Sequence, residues 1–433
     1  MRLQLDMLNI KDTQFANETT ISDGVLYINR GELQGLLEQD KRLSRVEIEL
    51  AHPGEKCRIL QVSDVVEPRA KTSANGEDFP GALGKGVTAG EGKTCVLRGV
   101  AVVMSDYREK GEVTTSKDPH GEIIDMSGPG AEISMYGKTH NVVLLPSPKD
   151  TVSTQDYQAA LKIAGLKTAA YLARAGKGLE PDEIEVYDLP PLTEITRGLE
   201  DLPKVTYIFQ ILSLQFEPVP GEPTLYGSQA EGIVPTILHP NEVLDGAITS
   251  PLPALILQTY HIQNHPIIKE LYKRHGKDLC FTGVIITTAP DNEVKYERVA
   301  NMAANVAKWV LGADGAVLTK AGGGAPELVM ARTAQRCEQL GIKTAIAMMH
   351  FGADMSDARY GAFTIFSMPE VDAIVSMGMP FMELTLPPVE RVIGRPGLSP
   401  EGPLIDGKIV RPIRWIKGSQ CQLGSSKLTA VRY

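Results

Sequence analysis

Polar chemistry concentrates between positions 239 and 275, where four of the eight histidines fall: His239, His261, His265 and His275. His239, Glu242 and Asp245 stand within one short stretch beside Pro240 and Gly246. An imidazole and two carboxylates so placed can serve as acid, base and cation site, and a solvated loop is the competing reading. His261 and His265 are four apart, the spacing that lays two imidazoles on one helix face for a divalent metal. Pro266 pushes its predecessor out of helical geometry, and no H-E-x-x-H is present, so satisfied polar residues or substrate hydrogen-bond donors compete with the metal pair. His275 follows Lys273-Arg274 and precedes Gly276, the pattern of a helix C-cap. Thr249 and Ser250 place two hydroxyls just before a proline-punctuated apolar run.

Three further groups carry chemistry. Lys320-Ala-Gly-Gly-Gly-Ala-Pro-Glu327 sits between an expected strand and an expected helix, and Gly322, Gly323 and Gly324 let backbone approach a ligand closely. The run is neither G-x-G-x-x-G nor G-x-x-x-x-G-K-S/T, so it supports no nucleotide site. A carboxylate-binding loop and a ligand-free tight turn both remain open. His350 follows another expected strand and is placed to feed a site at the strand ends. Ser127, Gly128 and Gly130 surround Pro129 in a fixed turn flanked by Asp125 and Glu132, either structural or facing substrate. No serine has the G-x-S-x-G context and no cysteine neighbours a histidine, so nucleophilic catalysis is not indicated.

The elements that must position these groups divide the chain. Its 433 residues exceed one compact core. The expected units are a β-rich N-terminal domain (1–150), a helix and proline-rich linker (151–200), and a Rossmann-like α/β domain (201–433). In the first, Met1–Ile10, Gly24–Asn29, Arg45–Leu50, Arg58–Val62 and Thr94–Met104 read as strands and Glu32–Glu38 as a helix. Residues 154–175 form the clearest helix, rich in Ala and Leu and stopped by Gly176 and Gly178. In the last unit, continuous apolar strands (Val205–Leu212, Phe281–Thr287, Gly315–Thr319, Lys343–Met348, Ala373–Ser376) alternate with helical stretches at 266–275, 293–311 and 326–340. That alternation predicts an α/β fold with a mainly parallel, helix-covered sheet.

A net charge of −9 and the absence of basic clusters argue against nucleic acid and anionic membranes. Apolar runs are far shorter than the ~20 residues that span a bilayer. The first residues lack the pattern of a signal peptide, and five scattered cysteines without C-x-x-C spacing suit a reducing cytoplasm.

The chain resembles the proprotein subunits of component B of the glycine/sarcosine/betaine reductases. The resemblance rests on K-D-T-Q-F at Lys11–Phe15, G-V-L-Y-I-N at Gly24–Asn29, A-x-P-G-E at Ala51–Glu55 and E-P-R at Glu67–Arg69. It continues through I-I-D-M-S-G-P-G-A-E at Ile123–Glu132, I-A-G-L-K at Ile163–Lys167 and E-P-D-E-I-E-V-Y at Glu180–Tyr187. V-P-T at Val234–Thr236, P-x-E-V-x-D-G-A-I at Pro240–Ile248 and L-Y-K-R-H-G-K-D at Leu271–Asp278 make its densest part.

The resemblance implies a cytoplasmic enzyme subunit that binds a small amino acid or N-methylated amine. In that family the proprotein cuts itself shortly after D-G-A-I, at a cysteine that becomes a pyruvoyl group able to form a Schiff base. A separate subunit carrying selenocysteine attacks the substrate carbon and releases the amine. Here Asp245–Ile248 is followed by T-S-P-L-P-A-L-I-L-Q-T-Y-H, with no cysteine before Cys280. Thr249 and Ser250 have hydroxyls able to attack a peptide carbonyl, yet the family position falls near Leu252–Ala254. The expectation is an uncut chain without a pyruvoyl cofactor, a pyruvoyl built from Ser250 or Thr249 and a bound divalent metal being the alternatives. The partner expected is a second component B-like subunit carrying a thiol or selenol, in a hetero-oligomer. Two other classes compete: a hydrolase or lyase using His239, Glu242, Asp245, His261 and His265, and a non-catalytic scaffold subunit.

Overall fold

The computed structural model describes residues 1–433 except 74–75, 107–120, 212–223, 231, 252–255, 291, 323–324, 349–371, 378–381, 396–405, 426–430 and 433. Two four-stranded sheets build the N-terminal part. One runs in the order Glu183–Asp188, Arg2–Asn9, Gly92–Arg98, Arg69–Lys71; the other runs Leu43–Ala51, His140–Pro148, Val100–Ser105, Val62–Val66. The apolar stretch from Thr94 to Met104 is thus split between sheets at Gly99, whose φ of +83° makes the corner that a β-branched residue would resist. Along Arg2–Asn9, Leu3, Leu5 and Met7 are buried while Gln4 and Asp6 are half-exposed, the period of a strand.

The helix Thr154–Arg174 lies against both sheets. Ser153 caps it by accepting from the Asp156 amide, and Arg174 complements the dipole at its far end. Its Tyr157, Leu161, Leu166 and Leu172 join Val102, Met104, Val142 and Leu144 in one core. The segment 151–200, expected as helix plus linker, also holds the strand Glu183–Asp188, antiparallel to Arg2–Met7. The alternation in E-I-E-V-Y-D between Pro181 and Pro190 is its sequence origin.

The C-terminal part is the helix-covered α/β sheet, with seven strands. Five are parallel, Cys280–Thr287, Lys204–Gln210, Gly315–Lys320, Lys343–Met348 and Ala373–Ser376 side by side. Short antiparallel strands, Thr236–Leu238 and Val431–Arg432, edge it. In chain order the five parallel strands stand 2-1-3-4-5, a doubly wound arrangement that opens a crevice between the first and third strands at their carboxyl ends. Ile208, Ile285, Leu318 and Ile346 face the helices Glu293–Asn305 and Ala325–Gln339. Tyr207, Phe209, Val284 and Ile286 face the other way and meet Leu3, Leu5, Met7 and Val96 of the N-terminal sheet. Val243, Leu244, Ile248, Ile262 and Ile268 fill the space between them.

The chain then returns to its beginning. Arg391–Ile393 pairs in parallel with Cys57–Ile59, the Ile123 amide donates to the Trp415 carbonyl, and buried Lys417 pairs with buried Glu122. Residues 382–395 and 406–417 therefore pack with the N-terminal sheets, while Val431–Arg432 lies on the edge of the parallel one. No helix among the described residues is long and apolar enough to cross a membrane.

Candidate active site

The stretch from 239 to 265 is clamped between the two parts of the fold. Its helix Pro240–Leu244 starts at His239, whose Nδ1 accepts from the Asn241 amide at 3.2 Å, while the Glu242 carboxylate accepts from the His239 amide at 2.6 Å. This is a reciprocal capping box, and proline at the first helical position suits the start. Glu242 also accepts from the Tyr226 hydroxyl at 2.5 Å. Asp245 ends the helix, accepts from the Gly90 amide (2.7 Å) and the Thr94 hydroxyl (2.9 Å), and pairs with the Lys71 ammonium. The structure therefore brings His239, Glu242 and Asp245 together on one short helix, each already engaged. Burial, helped by the charged amino group of Met1, pushes His239 down to about 4, and burial raises Glu242. At neutral pH His239 carries no charge.

His261 and His265 do not share a helix face. The helix Thr259–Gln263 ends at Asn264, and His265, extended at ψ 106°, caps the next helix, Pro266–Arg274. His261 points its Nε2 at Tyr136 (3.5 Å to the hydroxyl) and the Met135 sulfur (3.1 Å), whereas His265 shares a 3.0 Å hydrogen bond with the Tyr207 hydroxyl. Complete burial pushes both rings down to about 3. They stand as neutral core imidazoles, each satisfied by its own tyrosine. His275 caps the helix end as its spacing suggests, its Nδ1 accepting from the Phe281 amide at 3.0 Å.

Thr249 and Ser250 are buried. The Ser250 hydroxyl donates to the Leu257 carbonyl at 2.7 Å, and its amide donates to the Thr259 hydroxyl at 3.0 Å. Thr259 in turn donates to Asp64 at 2.6 Å, and Asp64 pairs with Lys162, both fully buried. A continuous polar chain thus runs from Lys162 in the long helix to Ser250. The family's self-processing position, near 252–254, lies outside the described residues.

At the crevice of the parallel sheet, buried Lys320 pairs with Glu327 at 3.0 Å and donates to the Gly322 carbonyl. Gln210, at the end of the neighbouring strand, donates to the Pro326 carbonyl at 2.7 Å. Gly322 has φ +85°; Gly323, Gly324 and His350 lie outside the described residues. The stretch expected as a turn is instead a short helix, Gly128–Ile133, with Ser127 at its N-cap, and it packs under the strand Glu383–Leu386. A Cβ at Gly130 would stand 3.1 Å from Leu386 Cδ2 and 3.0 Å from the Cβ of Asp125, which forms a buried, two-bonded pair with Arg58. A side chain at Gly130 would fit only if these neighbours gave way by a few tenths of an ångström.

An open groove of about 470 Å³ crosses the surface where the two parts meet, lined by Asn9, Ile10, Glu67, Arg98, Gly99, Met135, Tyr260 and Asn264. It offers a carboxylate, a guanidinium and an aromatic ring within one concavity. Glu67 is held by two bonds from Arg69 (2.8 and 2.6 Å), and Asn264 donates to it at 3.0 Å.

Comparison with known proteins covers the chain end to end. The family of glycine/sarcosine/betaine reductase component B subunits matches residues 1–429. The chain belongs to this family. It is 37% identical to the glycine reductase complex component B subunits alpha and beta of Acetoanaerobium sticklandii, over all of both chains. To the sarcosine reductase complex component B subunit alpha of Peptoclostridium acidaminophilum it is 38% identical, over 91% of this chain and 89% of the relative. The betaine reductase complex component B subunit alpha of the same organism is 33% identical over 91% of this chain and 88% of its own length. No solved structure matches.

Within this family member, the partners of the expected residues are what sequence reading missed. Lys71, Thr94, Asp64, Lys162 and Tyr226 come from distant stretches and carry no motif. Lys162 alone left a trace, as a lysine on the apolar side of an Ala- and Leu-rich helix.

Proposed function

We propose that this chain is the substrate-binding catalytic subunit of a component B-like reductase, acting on a small amino-acid-derived or N-methylated amine. The observation that carries the reading is similarity over essentially the whole chain to subunits named for glycine, sarcosine and betaine reductases. The groove supports it chemically. A substrate of that class is a small zwitterion: Arg98 suits its carboxylate, while Tyr260 beside Glu67 suits a cationic, methylated nitrogen.

The pyruvoyl group of the family is tested by the hydroxyls at hand. Forming it from Ser250 requires its Oγ to turn on the Thr249 carbonyl, but that hydroxyl is bonded to Leu257 and the adjoining amide to Thr259. The described residues fit self-cleavage poorly, and the uncut chain is the form we propose. A quaternary ammonium substrate suits that form, because it cannot make a Schiff base and its amine already leaves as a neutral molecule. The thiolate or selenolate of a partner subunit attacks the carbon between carboxylate and nitrogen. The new S–C or Se–C bond forms as the C–N bond breaks, and the electron pair departs with the amine. The chain's own share is to bind and orient the zwitterion and keep water from the reacting carbon. A complex of unlike subunits follows from this division of labour.

The test is calorimetric titration of the purified chain with glycine, sarcosine and betaine, together with its intact mass. Saturable binding of one of them by a single species near 46.9 kDa is expected. Absence of binding by all three, or two fragments meeting at Thr249 or Ser250, would overturn the reading.

A further inference from the structure

Away from the segment just described, three side chains converge from separate elements of the N-terminal part. His52 follows the strand Leu43–Ala51, and His140 opens the strand His140–Pro148; the register that pairs Ala51 with Asn141 sets the two imidazoles side by side. Asp12 begins the strand Asp12–Ala16. The two Nδ1 atoms are 3.1 Å apart, and Asp12 Oδ1 lies 3.5 Å from that of His52 and 3.7 Å from that of His140. Among the described residues, this is the group of three such side chains whose ligand atoms come close enough to hold one ion.

The triangle has a specific size. Sides of 3.1, 3.5 and 3.7 Å place its circumcentre about 2.0 Å from all three atoms, the length of a zinc–nitrogen or zinc–carboxylate bond. We propose that Asp12, His52 and His140 form a binding site for a divalent transition-metal ion of the zinc type, with the remaining coordination positions open to water or a small ligand.

The surroundings fit a ligand set. The Asp12 carboxylate is oriented by the Thr13 amide on Oδ1 and the Gln14 side chain on Oδ2, both at 2.8 Å. The His140 amide is tied to the Gly99 carbonyl at 2.8 Å, and the Lys11 main chain hydrogen-bonds its ring. Two imidazole Nδ1 atoms facing each other this closely either share a proton or share an ion. Side-chain exposures of 37% for His52 and 39% for Asp12 leave a path for the ion, and 14% for His140 anchors the floor. Two nitrogens and one oxygen suit zinc, cobalt, iron or manganese over calcium or magnesium. Ile10 and Gly99, next to Asp12 and His140 through chain and hydrogen bond, line the groove, so the ion would sit beside it.

This site does not depend on the reaction proposed above. Chelator-stripped protein is titrated with Zn²⁺ by calorimetry and with Co²⁺ by visible absorption. The expected result is one ion per chain with micromolar or tighter affinity and cobalt bands of a low-coordinate nitrogen–oxygen site. His52→Ala and Asp12→Asn, both at half-exposed positions, each weaken binding at least about tenfold with unchanged circular dichroism. Binding only at millimolar metal, or wild-type affinity in both folded variants, would overturn the site.

Discussion

Replacing Lys162 by methionine keeps the unbranched apolar stem and removes the ammonium, with its bonds to Asp64 and Thr259. Lys162 and Asp64 are both fully buried, so the variant strands a carboxylate away from water. Removing one partner of such a pair costs about 3–5 kcal/mol. Asp64 keeps three donors after the change: the Val65 amide at 2.8 Å, the Thr259 amide at 2.9 Å and the Thr259 hydroxyl at 2.6 Å. Those bonds place the cost at the lower end, about 3 kcal/mol. The double variant Lys162→Met/Asp64→Asn removes both charges while leaving an acceptor for the amides, and it recovers more than half of that loss. Chemical denaturation followed by circular dichroism measures all three proteins. A loss below about 1 kcal/mol in the single variant, or a double variant less stable than the single, would refute the reasoning.

Acidification tests the buried imidazoles. His239 is held at about 4 and His261 and His265 at about 3, each below the roughly 6.5 of an unfolded histidine. A base depressed in the folded state stabilises fully above the unfolded pKa, and that share is lost as pH falls from about 6.5 towards 3–4. At pH 5 these residues together take up about three protons from solvent on unfolding, readable as the slope of stability against pH; a flat profile between pH 7 and 4.5 would contradict it. Gly81→Ala is expected to destabilise by more than about 2 kcal/mol in thermal or denaturant unfolding, because φ is +81° and the new Cβ would run into the Tyr226 carbonyl. Arg98→Met should weaken binding of a carboxylate-bearing substrate about tenfold while changing stability by less than about 1 kcal/mol, since its Glu183 and Glu185 partners are partly exposed.

The parallel sheet was legible because its strands are continuous apolar runs between amphipathic helices, and each run from Val205 to Ser376 falls on an observed strand. The 2-1-3-4-5 order was not, since periodicity says which face is buried and nothing about which neighbour a strand takes. Gly99 hid the change of sheet inside one apolar run. The alternation of Glu183–Asp188 marks a strand, but its choice of Arg2–Met7 as neighbour, like the return of Arg391–Ile393 to Cys57–Ile59, is long-range pairing that no local pattern records. Pro266 did signal that His261 and His265 part company. The engagement of His239, Glu242 and Asp245 was out of reach, because Tyr226, Lys71 and Thr94 approach them only in the folded chain. The closeness of His52 and His140 comes from strand register and leaves no spacing motif at all.

The proposed reaction is tested most directly by amine release. The full chain is combined with a partner subunit bearing a reactive thiol or selenol and supplied with ¹⁵N-labelled glycine, sarcosine or betaine. Free ammonia, methylamine or trimethylamine from one of these substrates is expected, requiring both proteins and lost in Arg98→Met at low substrate. No labelled amine from any of the three, with both proteins folded and associated, would contradict a C–N bond-cleaving subunit.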